Sequence, residues 1–369
     1  MVAAFVAVTA TVPSRWGRHR ARVYFDGPGA PRALAEGVGR WVESGLDEGR
    51  FSTGSERFDG EWLFGTHVMA ALGFGQLAMT DPERATAHLA RMDRALDALT
   101  SPRLRAFDRA AWGRDAFQAF DAPRGHAALL GYYGLALALR RRLGSSGHDD
   151  LAAAMVRALT TRLSASETGL VETYPGETYP VDNAAGVAAV ALHAEALGAP
   201  RPAVVDDWLA RLDRWRDPEN GLLVQAVAPD GTTPVDAARA SGTALAAYFL
   251  SFADRGASRR LYDALRRTCY DPVLGFGAMK EYASAFGGRG DIDSGPLVFG
   301  YSISATGFAI GAARIHGDRE RFEGLYATAH LFGAPVTQDG MTSFVTGGPL
   351  GDAILFAMLT AIPADRGGS

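Results

Sequence analysis

A single cysteine, Cys269, stands in a chain of 369 residues. That excludes an internal disulfide framework and any cysteine-based zinc cluster. The sequence also lacks GxGxxG, P-loop, HExxH and GxSxG elements, so nucleotide cofactors and serine-hydrolase chemistry lose their usual sequence basis. Net charge is only −4 with a pI of about 6.1, and no Lys/Arg stripe interleaves with aromatics, which argues against a nucleic-acid partner. The apolar start, residues 1–12, falls short of the roughly 20 residues a membrane span needs. No basic stretch precedes it, although Arg15, Arg18, His19, Arg20 and Arg22 follow. Residues 1–29 are therefore expected to form a stray strand or packing arm, with a truncated anchor or signal as the alternative, and the compartment stays open between cytoplasm and periplasm.

Hydrophobic residues make up 47% and charged residues 21%, enough to bury a sizeable core. No linker or change of composition divides residues 30–362, which favours one repeat-built domain, with residues 363–369 as a disordered tail. Two kinds of helical segment alternate along it. Residues 125–139, 183–192, 240–250 and 301–313 are nearly uncharged all round, with 61–79 and 351–360 as weaker members, and such helices are buried on every face. Residues 82–99, 149–163, 202–215, 257–269 and 319–331 are amphipathic, and 31–48 supplies a sixth. An inner helix followed by an outer partner, repeated roughly every 50 to 60 residues, predicts an all-α fold: an (α/α)6 toroid of six helical hairpins.

Inner-to-outer turns are short, whereas the connections 101–124, 164–182, 217–239 and 271–300 are long and rich in Tyr, Trp, Asp and Gly. Loops of that length are usually functional or disordered, and this composition reads as ordered. All lead into the N-terminal ends of inner helices, so they are expected to share one rim around a pocket. Weak alternation in 169–174 and 221–227 makes short local β-hairpins plausible there.

Four clusters on these connections carry candidate chemistry. The densest contains Glu172, Tyr174, Tyr179, Asp182 and Asn183 ahead of a buried helix; capping explains Asp182 or Asn183 but not the rest. The second runs from Trp112 to His126, a histidine on the first turn of an apolar helix and suited to general acid or base work. His67, with Trp62 nearby, forms the third. Glu281, Asp291, Asp293 and Tyr301 mark the fourth; its Asp-x-Asp-Ser spacing does not fit an EF-hand and also makes a good turn, so no metal site is assigned.

At these residues the chain resembles the linalool dehydratase/isomerase family. The likeness is collinear over roughly residues 55–335 and runs through Trp112-Gly113, Gly125-His126 with Tyr133-Gly134-Leu135, Gly169-Leu-Val-Glu172 with Tyr179-x-Val181, Asp217-Pro-Glu-x-Gly221, and Asp291-x-Asp293-x-Gly295. The resemblance implies an α/α toroid that adds or removes water on terpenoid allylic alcohols without an organic cofactor, a site histidine at His126, and a homo-oligomer. Where the family has its catalytic cysteine pair, this chain has Glu172 and Asn183, and Cys269 is expected in an outer helix away from the loop rim.

The expected function is then a cofactor-independent acid/base lyase or isomerase acting on a small apolar alcohol or alkene. Glu172 and His126 would exchange protons, Tyr179 and Asp182 would orient them, and the loop of Asp291 and Asp293 would wall the pocket. His67, Trp62, Trp112, Tyr174, Asn183, Glu281 and Tyr301 are expected to line the substrate. Two rival readings use the same residues: a carbohydrate-active toroid with paired carboxylates and stacking aromatics, and a non-catalytic binding module in which the polar loop residues are caps and turns.

Overall fold

The structure, a computed structural model, describes residues 2–27, 31–283, 290, 291 and 294–363. In chain order its α-helices are α1 (Val2–Asp26), α2 (Arg32–Glu43), α3 (Glu56–Thr80), α4 (Ala85–Leu99), α5 (Ala106–Trp112), α6 (Ala127–Arg142) and α7 (Asp149–Ala165). They continue with α8 (Pro180–Ala196), α9 (Ala203–Arg211), α10 (Ala240–Leu250), α11 (Arg255–Thr268), α12 (Ile303–Ile315), α13 (Arg319–Gly333) and α14 (Gly348–Thr360). Strands β1 (Tyr270–Val273) and β2 (Phe276–Met279) form one antiparallel hairpin, and β3 (Pro335–Gln338) with β4 (Met341–Phe344) another.

The six nearly uncharged segments are helices α3, α6, α8, α10, α12 and α14, and they make the core. Each touches the next, and α14 returns to α3, so their contacts run in a closed circuit. Amphipathic α4, α7, α9, α11, α13 and α2 pack outside this circuit, each against inner neighbours. Small residues permit the closest approach: a Cβ on Gly131 of α6 would stand 2.8 Å from the Gly186 backbone nitrogen of α8, so nothing larger than glycine fits there without moving the helices apart.

A recurring clasp fixes how the chain enters the inner helices. Asn183, Thr243 and Thr306 are each the fourth residue of their helix, and each side chain donates to the carbonyl four residues back while accepting a backbone N–H from the incoming segment. The accepted donors are Val171 (2.8 Å), Leu223 (2.9 Å) and Met279 (3.1 Å). Asp352, the fifth residue of α14, accepts from Phe344 N (2.6 Å) in the corresponding place but donates to no carbonyl among the described residues. Side-chain acceptors thus satisfy buried amides that no regular strand partner reaches.

Three local expectations change. The N-terminal segment is a helix, packed antiparallel on α13: Asp26 pairs with Arg319, Tyr24 meets Tyr326, and Gly17 touches Ala327. Connection 101–124 contains the extra helix α5. The hairpins lie at β1–β2 and β3–β4, whereas 164–182 and 217–239 hold only isolated bridges among the described residues. No described helix is long and apolar enough to cross a membrane.

Candidate functional site

The long connections meet one another in order. Ala127 N donates to the Glu172 carbonyl (3.1 Å), Val227 N to Thr178 (3.0 Å) and Ala240 N to Glu281 (2.8 Å), so the entrances to α6, α8, α10 and α12 share one rim.

Its most elaborate part is at α6 and α8. His126 precedes α6 in the left-handed backbone region, φ 64, a conformation a side chain adopts only where its surroundings enforce it. The enforcing contact is Trp112, whose ring lies 4.9 Å from the imidazole and fills the space a Cβ on Gly125 would need. His126 Nδ1 stands 2.7 Å from Asp108 Oδ2 on α5, and both side chains are buried. Burial pushes the Asp108 carboxyl up, with the hydrogen bond to His126 pulling the other way. With Asp108 ionised, Nδ1 donates and Nε2, which makes no hydrogen bond among the described residues, carries the lone pair of a base.

Trp112 also donates from Nε1 to the Thr173 carbonyl (3.0 Å), and the Thr173 hydroxyl donates to Asp182 Oδ2 (2.6 Å). Tyr132 of α6 donates to the other oxygen of Asp182 (2.7 Å) and packs against Phe249 of α10. Burial pushes the Asp182 carboxyl up to about 6 although both hydroxyl bonds pull it down. Two hydrogen-bonded groups, Asp108–His126 and Trp112–Thr173–Asp182–Tyr132, therefore meet through the packing of the Trp112 ring on the His126 imidazole.

The other expected residues take varied places. Asp182 and Asn183 do not cap α8, whose cap position is Tyr179 without a side-chain bond; Asn183 is spent on Val171, accepting its N–H and donating to its carbonyl. Glu172 is half-buried and Oε1 accepts from Gly176 N at 3.2 Å. Tyr179 donates to Glu177 and Tyr174 to Glu61 of α3, with Arg57 over the Tyr174 ring. Trp62 packs edge-on against Phe51. His67 faces the Leu63 carbonyl within its own helix, and burial lowers its pKa, which makes it a neutral core histidine.

At α10 and α12 the polar groups form a second cluster. Glu281 is fully buried, its Oε1 accepts from Ser241, and its Oε2 has no hydrogen-bond partner among the described residues; burial raises its carboxyl. Arg239 pairs with Asp236 and Asp291. Tyr301 donates to Asp271 (2.8 Å). Asp293 lies outside the described residues. Cys269 follows α11 on the rim side, not away from it, its carbonyl accepting from Lys280 N; the thiol is buried and pushed up to about 12, so it is a poor nucleophile.

Sequence reasoning missed Asp108, Thr173 and Tyr132. Tyr132 had a signal, since a tyrosine on a nearly uncharged inner helix needs a hydroxyl partner. Asp108 lies on α5, whose seven residues are too few to show a helical period within a long connection. Among the described residues no group of three or more His, Cys, Asp or Glu is placed to hold a metal ion. Two cavities of about 350 and 450 Å³, one beside α1 and α13 and one between α4 and α7, contain no residue of the His126 and Asp182 groups. No family model matches the chain, and no curated protein matches it.

Proposed function

We propose that the α6–α8 part of the rim is the active site of a cofactor-independent lyase or isomerase that moves water on or off a small, largely apolar alcohol or alkene such as a terpenoid. The closed circuit of six inner helices supports a toroidal architecture around it. The observation that carries the reading is the His126 imidazole, held by Asp108 through one nitrogen and unbonded at the other, and packed on the Trp112 ring of the group that holds the buried Asp182.

In dehydration, His126 Nε2 takes a proton from carbon and the C=C bond forms as the C–O bond breaks. The carboxyl of Asp182, directly or through the Thr173 or Tyr132 hydroxyl, delivers the proton with which the hydroxyl leaves as water. Hydration runs the same atoms in reverse. A carboxyl raised to about 6 is still partly protonated near neutrality, which is what a general acid needs. Asp182 thus takes the proton-exchanging role that sequence reasoning gave to Glu172.

The test assays the purified chain on a panel of allylic alcohols and, beside it, a panel of glycosides. Turnover is expected on the alcohols, with a loss of roughly 10²- to 10⁴-fold in His126→Ala. Turnover confined to the glycosides, or full activity in His126→Ala, would overturn the assignment.

A further inference from the structure

Among the described residues, three two-residue turns have both residues left-handed. Asp339–Gly340 joins β3 to β4 with φ 52 and 77, Leu274–Gly275 joins β1 to β2 with φ 50 and 87, and Phe299–Gly300 lies inside the Val298–Tyr301 bridge with φ 53 and 83. Asp-Gly is what this turn type favours, because a short polar side chain tolerates the left-handed region. Leu and Phe are bulky there and gain nothing inside the protein: Leu274 is 61% exposed and Phe299 94%. Folding does not select such residues at these tips, so a contact outside the chain is the reason left.

The two tips do not stand alone. Ser14 of α1 donates to the Leu274 carbonyl (2.8 Å). The exposed Leu331 and Phe332 end α13, beside which Val345 N and Thr346 N reach the Ala334 and Gly333 carbonyls. Tyr301, two residues beyond Phe299, is tied to Asp271 of β1. All of these lie on the rim where outer helices end and inner helices begin. The antiparallel pairing of α1 with α13, Gly17 against Ala327, carries residues 2–10, uncharged in sequence, past the end of α13 by about 14 Å at a helical rise of about 1.5 Å per residue.

Charge complements this apolar surface. Residues 15–22 of α1 contain Arg15, Arg18, His19, Arg20 and Arg22, and the only acidic residue of the helix is Asp26. Arg18 and Arg22 approach Glu323, while Arg15 and Arg20 make no ion pair among the described residues. Trp16, 59% exposed, stands among these cations, the placement an indole takes at a lipid headgroup boundary.

We infer that this rim docks on an anionic membrane surface, with Leu274 and Phe299 entering the lipid and the basic part of α1 lying on the headgroups. Apolar insertion and a basic patch together give the two signals that stable peripheral binding requires. The inference stands on the turns and on α1 and is independent of the chemistry proposed above.

The experiment is flotation of the full chain with phosphatidylcholine vesicles, with and without phosphatidylglycerol, for the wild type, Leu274→Asn/Phe299→Asn and Arg15→Gln/Arg20→Gln. Wild type is expected to float with the anionic vesicles. The turn variant should bind at least roughly tenfold more weakly yet unfold at no lower temperature, since asparagine suits the left-handed position. The arginine variant should lose the preference for phosphatidylglycerol. The proposal is overturned if wild type floats with neither vesicle, or if the turn variant binds as wild type does. It is also overturned if wild type self-associates through the tips, shown by a turn variant that is monomeric while vesicles bind neither protein.

Discussion

Asp182 and Asp352 are buried carboxyls near the starts of α8 and α14, three steps apart around the six-helix circuit, and burial pushes each up to about 6. By that measure they are the same group. Their partners differ in kind. Asp182 is held by the hydroxyls of Thr173 and Tyr132, each able to rotate and accept as well as donate. Asp352 is held by the Phe344 amide and the Trp41 indole, which only donate. A proton arriving on Asp182 can be passed along its partners, whereas one arriving on Asp352 finds no acceptor between them. A raised pKa therefore marks burial, and the donors around the carboxyl decide whether it can exchange a proton.

The comparison breaks most sharply in activity. Asp182→Asn should lower turnover on the alcohol panel by roughly 10²- to 10⁴-fold, while Asp352→Asn, which keeps an acceptor oxygen for Phe344, should stay within a few-fold of wild type. Equal losses in kcat would remove the distinction.

A smaller effect separates the pair from ordinary surface carboxylates. Each carboxyl is near 6 in the folded chain against 3.8 as the unperturbed value, so between these values the folded state binds the proton that the unfolded state has released. Stability from these groups therefore rises as pH falls from 7 towards 4. Buried histidines such as His316, pushed down to about 4, act in the opposite direction, so the readout is the difference between proteins: wild type should gain on Asp352→Asn by on the order of 1–3 kcal/mol over that interval in urea titrations. A pH-independent gap would show that Asp352 does not titrate there.

An effect of similar size concerns the clasps. Asn183→Ala leaves both the N–H and the carbonyl of Val171 without their side-chain partner, and Thr306→Val leaves only the Met279 N–H. Costs of about 2–4 and 1–2 kcal/mol in denaturant midpoints are expected at roughly 1–3 kcal/mol per unpaired buried group. The reverse order would mean that Asn183 is not primarily a clasp.

Much of the fold was legible because absence of charge is a local property. The buried segments expected from residues 183, 239 and 301 begin as helices at Pro180, Ala240 and Ile303, since a run without charge cannot face water over its whole circumference. Helix α5 was not legible, being two turns long inside a connection, and α1 was misread because an apolar run without period does not distinguish strand from helix. The site was legible in part. His126 and Asp182 stood out as polar residues opening apolar helices, but Asn183 and His67 carried the same signal and proved to bond backbone.

The sequence by itself determined which segments are buried, that they alternate with amphipathic partners, and that cysteine pairing plays no part, because each depends on composition within one segment. Only the tertiary structure decided that Asp108 meets His126, that Thr173 and Tyr132 converge on Asp182, and that Asp352 is a clasp where Asp182 is not. Those are properties of side chains brought together from separate helices, and a hydrogen-bond partner 18, 50 or 311 residues away leaves no trace in the local pattern of either residue.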